Sequence, residues 1–320
     1  MKMMFNITTS SDDMDRFTCQ DEVEKLLEGF DGVELMYYGE DTRQIIPKER
    51  VIGVHLNYYP YWLDFWNNDE KALLREFGSL DVCEKVYGSR DREVMIERFR
   101  ENMKIAHAYG AEYVVFHTTD ARIEETFTGK YQHTDEEVIQ GVIEVVNELL
   151  REEDGSIAFL VENLWQPGFR FTRPDITKQL LDGITYENKG IMLDTGHLLH
   201  TDNSIRTQEE GVHYIHQLLD AHGDLCKYIL GIHLNQSLTG EYVEKIYQNP
   251  PKMAEDYQER LGQMFWHAFA VDQHLPFTCE GVDKLVERID PEYVTFEFIT
   301  ADSMQHLEYL TAQRKALHLL

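Results

Sequence analysis

The sequence predicts one α/β domain over residues 1–320, folded as a (β/α)8 barrel of parallel strands. Eight short apolar runs alternate with stretches of helical periodicity, which is the pattern of an all-parallel sheet covered by helices. No Gly/Ser-rich linker or break in composition divides the chain, and α/β barrels commonly reach this length as a single unit. An open, doubly wound sheet is the alternative that the same alternation allows.

The eight apolar runs are the predicted strands, because continuous apolar segments are typical of strands buried on both faces. In chain order they are Met3–Ile7, Gly32–Met36, Val51–Leu56, Tyr113–His117, Ile157–Glu162, Gly190–Leu193, Tyr228–His233 and Tyr293–Phe298. The sixth run leads directly into Asp194 and, after a turn glycine, His197, which places both at the carboxyl end of that strand. Alternatively, Asp194 only caps the next helix and His197 lies on the surface.

Helical periodicity fills the segments between these strands. The predicted helices are Cys19–Leu27, about Asp69 to Tyr109 with an interruption near Gly88, Thr134–Leu150, one starting near Pro174, Thr207–Leu219, one ending at Ala270, and a final helix. Thr134 followed by Glu137 is a capping-box pattern, and a proline suits the first turn of a helix. A long insertion, about residues 236–270, is expected after the seventh strand.

Charge and cysteine content restrict the classes of function. The chain has 58 acidic against 30 basic residues, a formal net charge of -28, so its mean surface field repels nucleic acid and anionic membranes. The four cysteines are scattered and form no C-x-x-C pair, as expected in a reducing compartment. No segment approaches the roughly 20 apolar residues of a membrane span, and the amino terminus lacks a secretory apolar core. We therefore expect a cytoplasmic protein without a membrane partner.

Six predicted strands end in a residue type that binds metal ions, and barrel active sites lie at those ends. These residues are His55, His117, Glu162, Asp194, His233 and Glu297. Each alone has a structural explanation, as a packing histidine or a loop-anchoring acid. Together they predict a shared cation, because burying each group without compensation would cost several kcal/mol. His197 and the pair Asp272 and His274 join the set from loops.

Mixed imidazole and carboxylate ligands suit zinc, manganese, iron or cobalt rather than calcium, which prefers oxygen alone. Nine candidate ligands exceed what one ion can hold. Either two or three divalent ions lie side by side, or one ion takes four ligands and the other groups bind substrate. The sequence thus predicts one to three ions.

Four motifs carry a resemblance to a known family. They are Val161–Asn163, Leu193–His197, Gly231–Asn235 and Phe296–Phe298. In these motifs the chain resembles the xylose isomerase-like TIM barrels, which include sugar-phosphate isomerases and epimerases and the endonuclease IV branch (AP endonuclease family 2). The resemblance implies a metal held by Glu162, Asp194, His233 and Glu297. It also implies that Glu162 and Glu297 act as acid and base and that His197 contacts substrate or metal.

The endonuclease IV branch matches in a second way. Its members carry three metals on nine ligands, and the nine candidates of this chain resemble that set in chain order, with the Asp272-x-His274 pair as the specific mark. The loops that would grip DNA, however, are not basic. Acidic residues outnumber basic ones in segments 57–77, 118–137 and 234–256, and only segment 163–175 has a positive balance. Nucleic acid is therefore a disfavoured partner.

Weighing charge above ligand count, we predict a divalent-metal-dependent isomerase or epimerase of a sugar or sugar phosphate. The alternative is an endonuclease IV-like multinuclear zinc phosphodiesterase, and the third hypothesis is a barrel that binds a ligand or a metal without turnover. Arg170 or Arg173 is expected to receive an anionic group of the substrate, and Tyr58 and Trp62 to contact the apolar face of a small carbohydrate. The sequence leaves the substrate, the metal and the oligomeric state open, and a homo-oligomer is compatible with it.

Overall fold

Eight parallel strands close into a barrel in the computed structural model, which describes residues 1–320. The strands are β1 Lys2–Thr8, β2 Gly32–Met36, β3 Val51–His55, β4 Tyr113–His117, β5 Ala158–Glu162, β6 Lys189–Asp194, β7 Ile229–His233 and β8 Tyr293–Phe296. They follow one another around the barrel in chain order, and β1 pairs with β8 through the register Lys2 to Tyr293. That pairing excludes the open sheet and confirms the predicted fold class.

Fifteen α-helices surround the strands. They are α1 Ser11–Met14, α2 Gln20–Leu26, α3 Leu63–Trp66, α4 Glu70–Phe77, α5 Leu80–Tyr87, α6 Glu93–Tyr109, α7 Ile123–Thr128, α8 Asp135–Leu149, α9 Pro174–Gly183, α10 Thr195–Leu199, α11 Gln208–His222, α12 Gly240–Gln248, α13 Tyr257–Val271, α14 Val282–Ile289 and α15 Ser303–Ala316. Short 3-10 turns span Lys48–Arg50, Leu150–Glu152 and Gly223–Tyr228.

Local signals explain most helix ends. The predicted capping box before α8 is confirmed, because the Thr134 hydroxyl accepts from the Glu137 amide while the Glu137 carboxylate accepts from the Thr134 amide. The long helical stretch predicted after residue 69 is divided into α4, α5 and α6. Gly78 and Gly88 end the first two of these helices with φ values of 75° and 81°, a left-handed conformation that glycine adopts without a Cβ penalty.

Side chains that point inward fill the barrel and separate its floor from the site above. The interior layer consists of Met4, Ile52, Tyr113, Val115, Ala158, Leu160, Met192 and Tyr293. A Cβ at Gly53 would collide with the Tyr113 ring, so this glycine makes room for the tyrosine. Tyr113 in turn donates to Glu34 on β2, a carboxylate only 2% exposed inside the barrel.

The predicted insertion after β7 contains α12 and most of α13, and α13 is fixed against α7. His267 on α13 lies within hydrogen-bond distance of the Thr126 carbonyl (3.0 Å) and of the Tyr242 hydroxyl (3.1 Å), and its ring stacks on Phe127 at 4.4 Å. The insertion is thereby held over the carboxyl end of the barrel. None of the helices has the length and apolar character needed to cross a membrane.

Candidate metal centre

Nine ionisable side chains meet at the carboxyl ends of the strands and form three clusters. In each cluster, one potential ligand atom per residue lies within 4.8 Å of the others. The first cluster is His55, His117 and Glu162, the second is Glu162, Asp194, His233 and Glu297, and the third is His197, Asp272 and His274. All nine residues proposed from the sequence as metal ligands are therefore brought together.

In the first cluster, three potential ligand atoms converge within hydrogen-bond distance. The Nε2 atoms of His55 and His117 lie 3.1 Å apart, and each lies 3.1 Å from Glu162 Oε2. His55 Nδ1 lies 2.9 Å from the Leu56 carbonyl oxygen, so the proton belongs on Nδ1 and the lone pair on Nε2 points into the cluster. An imidazole oriented by a backbone carbonyl in this way is the usual arrangement of a metal ligand.

The second cluster is centred on His233. Its Nδ1 atom lies 3.0 Å from both Glu162 Oε1 and Glu297 Oε2 and 3.8 Å from Asp194 Oδ2. The contact with Glu297 lacks hydrogen-bond geometry, which leaves the buried Oε2 atom of this carboxylate without a partner. An unpartnered carboxylate oxygen aimed at three other potential ligands is the environment that a bound cation would satisfy.

The third cluster gathers around the carboxylate of Asp272. Oδ2 of Asp272 lies 2.7 Å from His274 Nε2 and 3.1 Å from His197 Nε2. The Nδ1 atom of His197 lies 2.9 Å from the Asn163 carbonyl oxygen, which turns its Nε2 lone pair toward the cluster. His274 has a left-handed backbone with φ of 48°, an uncommon conformation for a residue with a side chain.

Glu162 connects the first two clusters through its two oxygens. Oε2 faces His55 and His117, whereas Oε1 faces His233 at 3.0 Å. If ions occupied both clusters, Glu162 could contribute one oxygen to each.

Opposite charges within the clusters perturb their pKa values in opposite directions. Burial alone would favour the neutral forms, but neighbouring imidazoles, His233 foremost, lower the pKa of Glu297 to about 2 and that of Glu162 well below its usual range. Burial also opposes charge on His274, yet Asp272 and Glu297 raise its pKa to about 9. Since a metal ligand must offer a lone pair, metal binding here would displace protons from the histidines.

The residues present fit a divalent transition metal. Five imidazoles and four carboxylates supply the mixed nitrogen and oxygen donors that zinc, manganese, iron and cobalt accept. Besides Glu297 Oε2, the Nδ1 atom of His274 is buried without a hydrogen-bond partner.

Asp194 has both of the roles that Sequence analysis treated as alternatives, since it caps a helix and also lies among the potential metal ligands. Its side chain accepts from the His197 amide at 2.6 Å and so caps α10, while the same carboxylate belongs to the second cluster. Burial raises its pKa to about 7. The cap fixes His197 one turn beyond the strand end, where its ring reaches the third cluster.

Three residues that support the ligands were missed by sequence reasoning. Glu34 lies behind His233, with Oε1 and Oε2 at 3.0 and 3.1 Å from His233 Nε2. The Ser237 hydroxyl accepts from the His274 amide and contacts Asp272 Oδ1 at 3.3 Å, and His200 Nε2 also lies 3.3 Å from that oxygen. Only Glu34 gave a signal in the sequence, as an acid in the middle of an apolar strand.

The residues predicted to contact substrate are divided by the structure. The Tyr58 ring lies 4.3 Å from the His117 ring and lines the cavity above the clusters. Trp62 is instead buried, donating to the Thr119 carbonyl and the Asp120 carboxylate, and does not line the cavity. Arg170 pairs with Asp135 at 2.6 Å, and Arg173 pairs with acidic side chains outside the cavity. The structure therefore gives Trp62, Arg170 and Arg173 no contact with the cavity.

The cavity above the clusters has a volume of about 410 Å³ and a largely apolar lining. Six of the metal-ligand candidates form part of its floor: His55, His117, His197, Asp272, His274 and Glu297. Sixteen of its 30 lining residues are hydrophobic, and none is lysine or arginine.

Comparison with known proteins identifies the family of this barrel. The sequence model of the xylose isomerase-like TIM barrel family matches residues 21–305. The chain belongs to this family. No curated protein matches the chain in sequence.

Solved structures of this barrel type share the fold at low sequence identity. The zinc-bound IolI protein superposes with a TM-score of 0.51 at 12% identity, covering 99% of this chain and 96% of its own. A D-psicose 3-epimerase crystallised in the presence of D-fructose gives 0.52 at 11% identity, covering 99% of both chains. The D-allulose 3-epimerase of Methylomonas sp. gives 0.50 at 11% identity, covering 99% and 97%. At these identities the similarity establishes the xylose isomerase-like fold and leaves the reaction to the site itself.

Proposed function

We propose that this xylose isomerase-like barrel is a multinuclear metal-dependent hydrolase of a small phosphodiester. The observation that carries the proposal is the division of the nine ligands into three adjacent clusters, with Glu162 shared between two of them. A single-ion isomerase needs only the four residues of the second cluster. Five further candidate ligands, His55, His117, His197, Asp272 and His274, would have no role as ligands in it.

Zinc is the ion we propose first, because imidazole and carboxylate are its common ligands in proteins. When bound, such ions would supply Lewis-acid activation of water and neutralisation of the charge on phosphorus and the leaving oxygen. The chain's own residues hold the ligand atoms in place. Backbone carbonyls orient His55 and His197, and Glu34 orients His233.

Aromatic rings limit the access of water to the clusters. The Tyr58 ring covers His117 at 4.3 Å, and the Trp165 ring lies 5.2 Å from the His197 ring. Groups placed at the floor of a largely apolar cavity interact more strongly than they would in bulk water.

A metal-dependent isomerase or epimerase of a small sugar is the second candidate. It is favoured by the positions of Glu162 and Glu297, whose oxygens both lie 3.0 Å from His233 Nδ1 and so flank one potential metal position. In that reaction the two carboxylates would move a proton next to a carbonyl. DNA is a disfavoured substrate under either candidate function, because no lysine or arginine lines the cavity.

Metal content and activity of a His274→Ala variant distinguish the two candidates. For a trinuclear hydrolase we expect about three ions per wild-type chain, and in the variant we expect one ion fewer and at least ~100-fold slower hydrolysis of bis(p-nitrophenyl) phosphate. His213→Ala, which removes an exposed histidine on α11, is the matched control and should change neither quantity.

The opposite result has an equally specific form. Three results together would establish the second candidate. The wild type would bind one ion per chain, His274→Ala would leave ketose epimerisation intact, and a metal-loaded Glu297→Gln variant would lose it. The amide of glutamine can still offer an oxygen to a metal but cannot accept the proton.

A further inference from the structure

We infer that the cavity above the metal centre binds an uncharged aromatic group of the substrate. The part of the inference that attaches this group to a phosphodiester rests on the proposed function. The aromatic subsite itself is built from residues outside the three clusters and is tested separately below.

One wall of the cavity comes from α13 in the insertion between β7 and β8. Met264, Phe265 and Phe269 on this helix line the cavity, yet Phe265 and Phe269 are 42% and 56% exposed. Phe265 and Phe269 are four residues apart and therefore lie on the same face of the helix. A helix that exposes two phenylalanines beside a cavity presents the kind of apolar surface that marks a binding site.

The insertion holds this wall rigidly, as recognition of a small molecule requires. His267, within the same turn as Phe265, is fixed to the Thr126 carbonyl and stacked on Phe127. The two exposed phenylalanines are therefore attached to an anchored helix. Little conformational entropy would be lost when a ligand contacts them.

Aromatic rings also flank the floor of the cavity. Tyr58 lies over His117, and Trp165 lies 5.2 and 4.9 Å from the rings of His197 and His200. Tyr247 contributes a further ring to the lining. Aromatic pairs gain energy beyond the burial of apolar area, so several rings around one cavity favour an aromatic group over an alkyl chain.

Charge narrows the ligand further. No lysine or arginine lines the cavity, and Arg170, which the sequence predicted to receive an anionic group, is paired with Asp135 instead. With a net charge of -28 on the chain, a substrate with several phosphates would be repelled and would find no cationic side chain to receive it. The negative charge that the site can accept is therefore limited to the one centre that bound ions would neutralise.

The subsite is tested by binding rather than by turnover. We expect metal-loaded protein to bind phenylphosphonate at least tenfold more tightly than methylphosphonate by calorimetry, a difference of about 1.4 kcal/mol. Both ligands have the same charged head group, so the ratio isolates the ring. In the double variant Phe265→Ala, Phe269→Ala the ratio should fall to about one, with an unchanged circular dichroism spectrum.

Trp266→Ala is the matched control. Trp266 lies on the same helix and is 80% exposed, but it does not line the cavity, so its removal should leave the ratio unchanged. A wild-type ratio near one, or a ratio that the double variant preserves, would overturn the inference. Adenosine and hexyl phosphonates are then compared with the phenyl compound, to distinguish a nucleobase or an alkyl chain from a simple ring. Tighter binding of the hexyl compound than of the phenyl compound would reject an aromatic ligand.

Failure of the proposed function would look different. If neither phosphonate binds, the phosphodiester proposal fails, and the aromatic subsite is then tested with the uncharged probe 1-naphthol. Naphthol binding that the double variant weakens at least tenfold would sustain the subsite, and equal binding would refute it. Self-association of the wild type that both Trp266→Ala and Phe269→Ala abolish would instead identify the exposed rings as a contact between two copies of the chain.

Discussion

Glu34→Gln should weaken metal binding although Glu34 is not itself a member of any cluster. Oε2 of Glu34 accepts from the Tyr113 and Thr295 hydroxyls at 2.7 and 3.1 Å, and Oε1 lies 3.0 Å from His233 Nε2. If the glutamine oxygen takes the place of Oε2, its amide group faces His233 Nε2 and must donate to it. The imidazole proton would then move to Nδ1, the atom that faces Glu162 and Glu297.

The size of the effect follows from the loss of one oriented ligand. Mutating the partner that orients a ligating histidine typically costs 10- to 100-fold in metal affinity, or about 1.4 to 2.7 kcal/mol. Competition with a chromophoric chelator at neutral pH measures this change in affinity. The loss should concern one ion per chain, because Glu34 contacts only His233 among the nine ligand candidates.

Glu76→Gln is the appropriate control for Glu34→Gln. Glu76 is also a buried glutamate, 7% exposed, but its carboxylate accepts only from the Ile123 amide and belongs to no cluster. Tyr113→Phe removes a donor to Glu34 while leaving its contact with His233, so it should weaken binding less than Glu34→Gln. Metal affinity of a folded Glu34→Gln variant within twofold of the wild type would refute the proposed role of Glu34.

Two further predictions concern stability and pH. Burial raises the pKa of Asp120 to about 6, above its ordinary value of 3.8, so its contribution to stability is lost as pH rises through this interval. Relative to Asp120→Asn, the wild type should therefore lose up to about 3 kcal/mol of unfolding free energy between pH 4 and pH 8. Urea titrations measure this loss, and a difference in stability between the two proteins that does not change with pH would contradict the prediction. Burial lowers the pKa of His306 to about 3, and neither ring nitrogen has a partner. The His306→Leu variant should thus lose less stability than the wild type on acidification from pH 6.5 to pH 4. Thermal melts in which the variant and the wild type lose equal stability would exclude a contribution of His306 to acid sensitivity.

The barrel fold could be predicted from the sequence because each strand is a local apolar run with a polar end. Gly32–Met36 and Tyr113–His117 are found with the predicted bounds, and the other strands differ by one or two residues at one or both ends. Six of the nine ligand candidates follow from the same pattern, since parallel strands in a closed barrel bring all their carboxyl ends to one rim. Position along a strand thus determines proximity in space.

Residues whose position depends on long-range packing could not be placed in this way. Trp62 lies within an aromatic-rich loop, and nothing local indicates that its indole nitrogen reaches the Thr119 carbonyl rather than a ligand. Arg170 and Arg173 follow β5, but their partners, among them Asp135 and Glu136, come from α8. Ser237 acquires its role only because the loop after β7 returns to the turn at Asp272 and His274.

If ions bind to both clusters, as proposed, the two-sided position of Glu162 would affect the order in which they bind. One carboxylate cannot adjust its orientation independently to two neighbours, so occupation of the first cluster changes what the second cluster offers, and the reverse holds by the same amount. An ion beside Oε2 would fix the side chain for its neighbour while withdrawing electron density from Oε1. The balance of these two effects would determine whether the ions bind in a concerted way or whether a long-lived form with only one cluster occupied accumulates.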